Sequence, residues 1–361
     1  MTGPLSGIRI LELAGIGPAP FCGMMLADHG AEVILIHRPE AEPDVRDPLL
    51  RSRTLLPIDL KTTAGKSALR ELAKGANGLI EGFRPGVLER LGLGPDVLLA
   101  DNPALVIGRM TGWGQTGPLA QVAGHDINYI AVAGVLHALG RAGEMPAHPI
   151  NLVGDFGGGG MLLAFSMLAA LRHAQVTGDG QVVDCAMTEG ASLLMTMTWG
   201  LYANQGWRDE RGVNLLDGGA HFYDSYETSD GKYVAFGAIE PQFYADFARR
   251  AGVDQDDIWI DQMNPTQWPL LKSRLTRLFR SRTRSEWCDL LEGCDACVAP
   301  VLSMSEAPDH PQSRARQSFV SVDGVKQPAP APRYSRSPLA TPVAPRRDAA
   351  QSTTQKTKGS T

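Results

Sequence analysis

Between residues 8 and 110 short apolar runs alternate with helix-length segments, and no other feature constrains the fold as strongly. IRILEL (8–13), AEVILIH (31–37), LLPIDL (55–60), NGLIEGF (77–83) and ALVIGRM (104–110) read as strands, with FCGMMLADHG, AGKSALRELAKG and GVLERLGLG as helices among them. Strands separated by helical crossovers pair in parallel, so the expected body is α/β, a Rossmann-like parallel sheet. The Val, Ile and Leu of AEVILIH suit a strand buried on both faces.

The texture then changes twice. From 125 to 205 the chain reads as helical (HDINYIAVAGVLHALG, GGMLLAFSMLAALRHAQ, TEGASLLMTMTWGLYANQG), with QVVDCAM (181–187) as a strand. From about 220, HFYDSYETSDGKYVAFGAI alternates around Asp230-Gly231, a hairpin signal. Helices at 241–252, 267–280 and 284–293 and a strand at 297–302 follow. The expected organisation is a large α/β domain over 1–205, a smaller α+β domain over 215–304, a C-terminal strap over 305–345 that rejoins the large domain, and a disordered tail over 346–361.

Composition excludes several functions. A net charge of −5 gives no electrostatic reason for a nucleic-acid partner or an anionic membrane. No uninterrupted apolar run reaches the roughly 18 residues of a membrane span, so membrane insertion is not expected, and MTGPLSGIRILEL lacks the plan of a signal peptide. Five cysteines in 361 residues are too sparse for a disulfide framework, which suits a cytoplasmic enzyme. Cys294 and Cys297 form a C-x-x-C, but no second ligand pair lies at zinc spacing, and GCDACVAPVL reads instead as a turn entering a buried strand with Cys297 in the core.

Two features concern phosphate. Gly15-Ile16-Gly17-Pro18 follows the first strand, yet a third glycine is missing and prolines stiffen the turn, so a dinucleotide fingerprint fails. Where a dinucleotide site carries an acidic residue, the second strand ends in Arg38, which suits a ribose phosphate of NADP or coenzyme A, or else is a surface residue. IEGFRPGVLERLGL offers Phe83 as a face for adenine and Arg90 for a diphosphate; Arg84, beside Pro85, is the weaker candidate.

With AGIGPAP, IHRPE, EGFRPGVLERLGL, RMTGWGQTGP, GHDINY, NLVGDFGGG, GQVVDCAM, LDGGAHFYDSYET and AIEPQFY together, the chain resembles the α-methylacyl-CoA racemases, a branch of the family III CoA-transferase superfamily, from about residue 3 to about 303. The resemblance implies an interlocked homodimer, a 2-methylacyl-CoA thioester as substrate, and no metal or redox cofactor, CoA being part of the substrate. By motif match it makes His125 and Asp155 the acid/base pair, Glu240 the carboxylate that orients the histidine, and Asn151 the partner of Asp155. It assigns Arg38, Ile58, Asp59, Leu60, Lys61, Gly82, Phe83, Arg90, Gly124, His125, Asp126, Ile127, Asn128 and Tyr129 to CoA and the thioester.

Inverting a carbon beside a thioester requires a base on one face and an acid on the other, and a histidine and a carboxylate suit both roles near neutral pH. The enolate needs donors, which a helix starting after Asp155 would supply. Each residue has an ordinary reading too: Asp155 as a helix N-cap, His125 as a capped or buried histidine, Glu240 as a helix start. Met161, Met167, Met187, Met195 and Met197 read as core or as an adaptable surface for an acyl tail. The competing functions are a CoA transferase using Asp155 as nucleophile, a non-catalytic acyl-CoA-binding protein and, last, an NADP oxidoreductase.

Overall fold

Aliphatic side chains on both faces of the first strand set the architecture: Ile10, Leu11 and Leu13 are all fully buried, which requires helices on each side of the sheet. In the computed structural model, residues 2–255 and 257–348 are described. They form two compact units, the first made of residues up to Ala133, Pro149–Met195 and those from Gln312 onward, the second of Gly134–His148 and Thr196–Pro311.

The first unit opens with β1 (Arg9–Leu13), α1 (Pro18–Asp28), β2 (Glu32–His37), β3 (Thr54–Pro57), α2 (Thr63–Lys74), β4 (Gly78–Glu81), α3 (Val87–Arg90), α4 (Pro95–Asp101), β5 (Val106–Thr111) and α5 (Asp126–Val132). The short helix α6 (Val135–Ala138) belongs to the second unit. The first resumes with a helix over Leu152–Thr177, π-type as far as Met161 and α-helical (α7) over Leu162–Thr177, then β6 (Gln181–Ala186) and α8 (Met187–Leu194). Seven strands, the last in the chain being β12 (Arg346–Arg347), lie in the order β12-β3-β2-β1-β4-β5-β6, every pair parallel. The order turns back between β1 and β4, the switch point at which loops leave the sheet in opposite directions and open a crevice.

At 26 residues, Leu152–Thr177 is long and apolar enough to cross a bilayer by length and composition. One of its faces, Leu163, Ala164, Met167, Ala170 and Leu171, is nevertheless packed into the core of the sheet. The Gly run at its start admits α8: a Cβ on Gly158 would stand 2.5 Å from the backbone nitrogen of Ala191.

The C-terminal segment rejoins this unit. A hairpin of β10 (Phe319–Val322) and β11 (Val325–Pro328), which the Pro-rich composition did not foreshadow, docks on buried Arg51. That guanidinium pairs with both carboxylate oxygens of Asp28 and donates to Gln327 Oε1 at 3.0 Å and to Pro328 O at 2.7 Å. Farther on, Ser52 N–H donates to Val343 O at 2.7 Å, and β12 (Arg346–Arg347) pairs with β3. The ordered strap therefore runs past 345, and the disordered tail expected from 346 is corrected at its start; residues 349–361 lie outside the described residues.

In the second unit α9 (Thr196–Ala203) precedes β7 (Tyr223–Glu227) and β8 (Tyr233–Gly237), followed by α10 (Pro241–Ala251), α11 (Trp268–Phe279), α12 (Arg284–Leu291) and β9 (Val298–Val301). The hairpin forms around Asp230-Gly231, with Gly231 at φ 72°, and β9 adds to β8 antiparallel. Phe222, Phe236, Phe247, Phe279 and Trp287 fill its core. Three expectations need correction. The helical run starting at His125 breaks at Gly134 (φ 81°), and residues 134–148 group with the second unit. Residues 196–205 join them there. Cys297 is exposed at φ 53°, a turn residue ahead of β9 and not a core one, because the left-handed backbone turns its side chain away from the strand.

Replacing Arg51 with Met should destabilise the protein by about 3–5 kcal/mol, because Asp28 is left buried without its partner. The double variant with Asp28→Asn should regain part of the loss. Urea denaturation of the three proteins checks both statements, and the strap should be cut faster by protease in the single variant.

Candidate active site

The crevice at the switch point holds two clefts at the carboxyl ends of the strands. The first, of about 490 Å³, is walled by Ile16–Ala19 after β1, Gly82–Pro85 after β4, Met110–Trp113 at the end of β5, the segment 122–125 with Tyr129, and Asn151, Asp155 and Met187. The second, of about 370 Å³, lies beyond β2 and β3 and is lined by Arg38, Ile58, Asp59, Leu60, Lys61, Phe83, Arg84 and neighbours.

Local bonding explains how these segments hold their shape. Buried Glu81 closes β4: its Oε2 accepts the N–H of Phe83 at 2.7 Å, and its Oε1 accepts Arg109 Nε–H from the adjacent strand at 2.7 Å. Arg109 also reaches Glu89 on α3 at 2.7 Å, so one guanidinium ties both ends of the FRPG turn. Burial pushes the Glu81 carboxyl up while Arg109 pulls it down. Asp59 Oδ1 accepts the Lys61 N–H at 2.9 Å, and Thr62 Oγ1 caps α2 by accepting from Gly65 N–H at 3.0 Å. Tyr129 stands edge-on to Trp113 with centroids 4.9 Å apart and donates its hydroxyl proton to Gly124 O.

His125 is the N-cap of α5, exposed in the chain, with its N–H held by Asn128 Oδ1 at 3.0 Å. Asp155 does not cap a helix. The helix begins at Leu152 after Asn151, so Asp155 sits inside the first, wide turn, and the donors expected from a helix starting behind it are corrected accordingly. Its own N–H is engaged by Asp126 Oδ1 at 2.7 Å. Its Oδ2 accepts from Asn151 Nδ2 at 3.0 Å and faces the β1–α1 loop, where a Cβ on Gly17 would approach it to 3.0 Å. Partial burial raises the Asp155 carboxyl above the ordinary aspartate range; the Asn151 bond lowers it, the Asp126 charge raises it and nearby His125 lowers it.

The structure thus brings His125, Asp155, Asn151, Gly82, Gly124 and Tyr129 to one cleft and Arg38, Ile58, Asp59, Leu60, Lys61 and Phe83 to its neighbour. Arg90 lines neither. Arg84 lines both, which sequence reading ranked the other way; the signal lay in its place next to Phe83 at the strand end, whereas Arg90 falls at the far end of α3. Ile127 and Asn128 do not wall the cleft, and the Asp126 carboxylate turns inward, 6% exposed. Arg38, Lys61 and Arg84 have no ion-pair partner among the described residues, which leaves three cations for anionic groups. Glu240 belongs to the second unit, where it is the exposed N-cap residue of α10 but makes no side-chain cap bond. Among the methionines, Met167 is core, Met187 lines the cleft, and Met161 and Met197 are 52% and 61% exposed.

The nucleotide alternative weakens on the same geometry. Helix α1 starts with Pro18 at its first position, which removes an N–H from the helix end where a dinucleotide pyrophosphate would dock. No group of three or more His, Cys, Asp or Glu side chains placed to hold a metal ion occurs among the described residues.

A family model for CoA-transferase family III matches residues 5–351. The chain is 45% identical to the alpha-methylacyl-CoA racemase of Mus musculus over 92% of its length and 87% of the relative's. To the enzyme of that name from Homo sapiens it is 43% identical, again over 92% and 87%. Among solved structures, Rv3272 of Mycobacterium tuberculosis superposes with a TM-score of 0.80 at 26% identity, covering 96% of this chain and 97% of that one.

Two outcomes follow from the geometry. Arg84→Ala should raise KM for an acyl-CoA by about tenfold, on the scale of one charge-assisted contact, and Arg90→Ala by much less; steady-state kinetics of the two variants checks the order. A carboxyl whose folded pKa is raised gives stability below its unfolded pKa and loses it as pH rises through the folded value. Asp155→Asn should therefore melt higher than the wild type at pH 7, with the gap closing as pH falls below the aspartate range.

Proposed function

The chain belongs to CoA-transferase family III, and on that premise we propose that it is an α-methylacyl-CoA racemase, an isomerase that inverts the 2-methyl-bearing carbon of acyl-CoA thioesters. The observation that carries this reading is the presence of an imidazole and a carboxylate, His125 and Asp155, on one cleft beside a second cleft bearing three cations without an ion-pair partner among the described residues. A transferase working through an acyl-aspartate needs the carboxylate alone.

In this reading the CoA phosphates meet Arg38, Lys61 and Arg84, with Phe83 beside the adenine, and the pantetheine arm leads the thioester past Gly82 into the first cleft. One of the two bases removes the α-proton and the other returns a proton to the opposite face, so that which acts first depends on the enantiomer bound. The raised Asp155 carboxyl is a stronger base than an exposed aspartate. Charge on the thioester oxygen of the enolate is met by the positive ends of the helices that begin at Asp126 and Leu152. Proton transfer changes no oxidation state, so the mechanism calls for no cofactor beyond the CoA of the substrate.

The family resemblance keeps for Glu240 the role of an orienting carboxylate, and its side chain makes no cap bond on its own helix. We assign the enzyme a homodimeric state, interlocked as in its family. Apolar side chains left exposed support this: Phe165 and Val176 on α7, Leu193 and Leu194 on α8, and in the second unit Met197 and Trp199 on α9. The five cysteines are free thiols, in keeping with a cytoplasmic enzyme.

The test uses a single enantiomer of a 2-methylacyl-CoA in heavy water. Either enantiomer should be converted, with solvent deuterium at carbon two, and His125→Ala or Asp155→Ala should each slow inversion by about 10³-fold or more. If wild-type enzyme left carbon two unlabelled while hydroxylamine trapped an acyl group on Asp155, the activity would be CoA transfer.

A further inference from the structure

Asp126 stands next to His125 in the chain and touches Asp155 in space, yet the mechanism above leaves its carboxylate without a role. The side chain is 6% exposed and does not wall the cleft. Its Oδ1 accepts the Asp155 N–H at 2.7 Å, and its Oδ2 is buried with no hydrogen-bond partner among the described residues. A Cβ on Gly154 would lie 2.5 Å from that same Oδ1, so the backbone before Asp155 is in direct contact with the carboxylate. A buried carboxylate oxygen without a donor is unfavourable, a cost that packing alone does not explain.

We propose that Asp126 is a positioning residue for racemisation, whose carboxylate fixes the backbone of Asp155 relative to His125 and places a second negative charge behind the Asp155 carboxylate. The inference rests on the racemase reading. Positioning follows from connectivity. His125 is held to the first turn of α5 by Asn128, Asp126 is the first residue of that turn, and the bond from Asp126 to Asp155 bridges α5 to the wide helix. Two bases that work on opposite faces of one carbon tolerate little relative movement, since a displacement of about 1 Å costs on the order of 10²-fold in rate.

The charge acts on basicity. The titratable groups facing Asp155 are His125, Asp126 and Tyr129 of the α5 segment, with Asn151 as its neutral partner and Arg84 facing Tyr129. Of these Asp126 pushes the Asp155 carboxyl up and His125 pulls it down. Removing the negative charge should therefore move the titration of Asp155 to lower pH, and with it the acid limb of kcat/KM for the enantiomer whose proton Asp155 takes.

Two variants separate the effects. Asp126→Asn retains an oxygen for the Asp155 N–H but loses the charge: the Asp155 carboxyl signal, followed by ¹³C NMR in the whole protein, should titrate lower by on the order of 1 pH unit. Asp126→Ala loses the bond too: kcat for inversion should fall by about 10²-fold while KM for the acyl-CoA stays within about threefold. Should Asp126→Ala not fold, Gly154→Ala supplies the same kinetic test, because its Cβ displaces the carboxylate with the charge retained. The proposal is overturned if the Asp155 titration is unmoved in Asp126→Asn, if kcat survives within twofold in the bond-breaking variant, or if the loss appears in KM, as a substrate contact would give. A wild type that fails to invert 2-methylacyl-CoA would overturn the racemase reading instead, and the Asp155 titration would still decide the role of Asp126.

Discussion

The reversal of strand order between β1 and β4 is the constraint on which the rest of the first unit depends. In a parallel sheet every strand delivers its chain to the same edge, and only where neighbouring crossovers leave in opposite directions does that edge open. The turn after β1 and the turn after β4 therefore face each other across empty space. Much of the two clefts is hung on that edge: Arg38 follows β2, the segment 58–61 follows β3, Phe83 and Arg84 follow β4 and Trp113 follows β5. Recognition of a long, charged thioester needs such a spread of contacts, because no single loop spans the distance from a ribose phosphate to an acyl carbon.

Acidic residues organise the site as much as the basic ones do. Glu81 secures the turn that presents Phe83 and Arg84, and through Arg109 it shares a cation with Glu89 on α3. Asp126 secures the backbone at Asp155. Both carboxylates are buried, and each gives one oxygen to a backbone N–H next to the functional side chains. The cations of the second cleft, by contrast, are left without ion-pair partners among the described residues. This division lets the framework be rigid while the binding charges remain available. The wide π-type turns at 152–161 belong to the same logic, since a helix of ordinary pitch would rotate the side chains after Leu152 away from the positions that meet Asn151 and the β1–α1 loop.

The sequence by itself determined the α/β class, six of the seven strands of the sheet, the hairpin at Asp230-Gly231 and the chemical inventory of the site. These are local matters: period-two and period-3.6 burial, turn residues and motif identity are written in neighbouring positions. His125, Asp155, Asn151 and Arg38 were legible because their motifs are continuous. Tertiary structure decided what depends on distant segments meeting. It split the helical run at Gly134 and gave residues 134–148 to the second unit, where the packing of that unit outweighs helical continuity. It ordered the chain beyond 315 into a hairpin and an edge strand because Arg51 and the free edge of β3 supply partners a Pro-rich composition cannot reveal. It ranked Arg84 above Arg90 and turned the Asp126 carboxylate inward. Direction of a side chain at a strand end or a helix start is set by what lies across the crevice, and what lies across it is far away in the chain, as Asp155 is from Asp126.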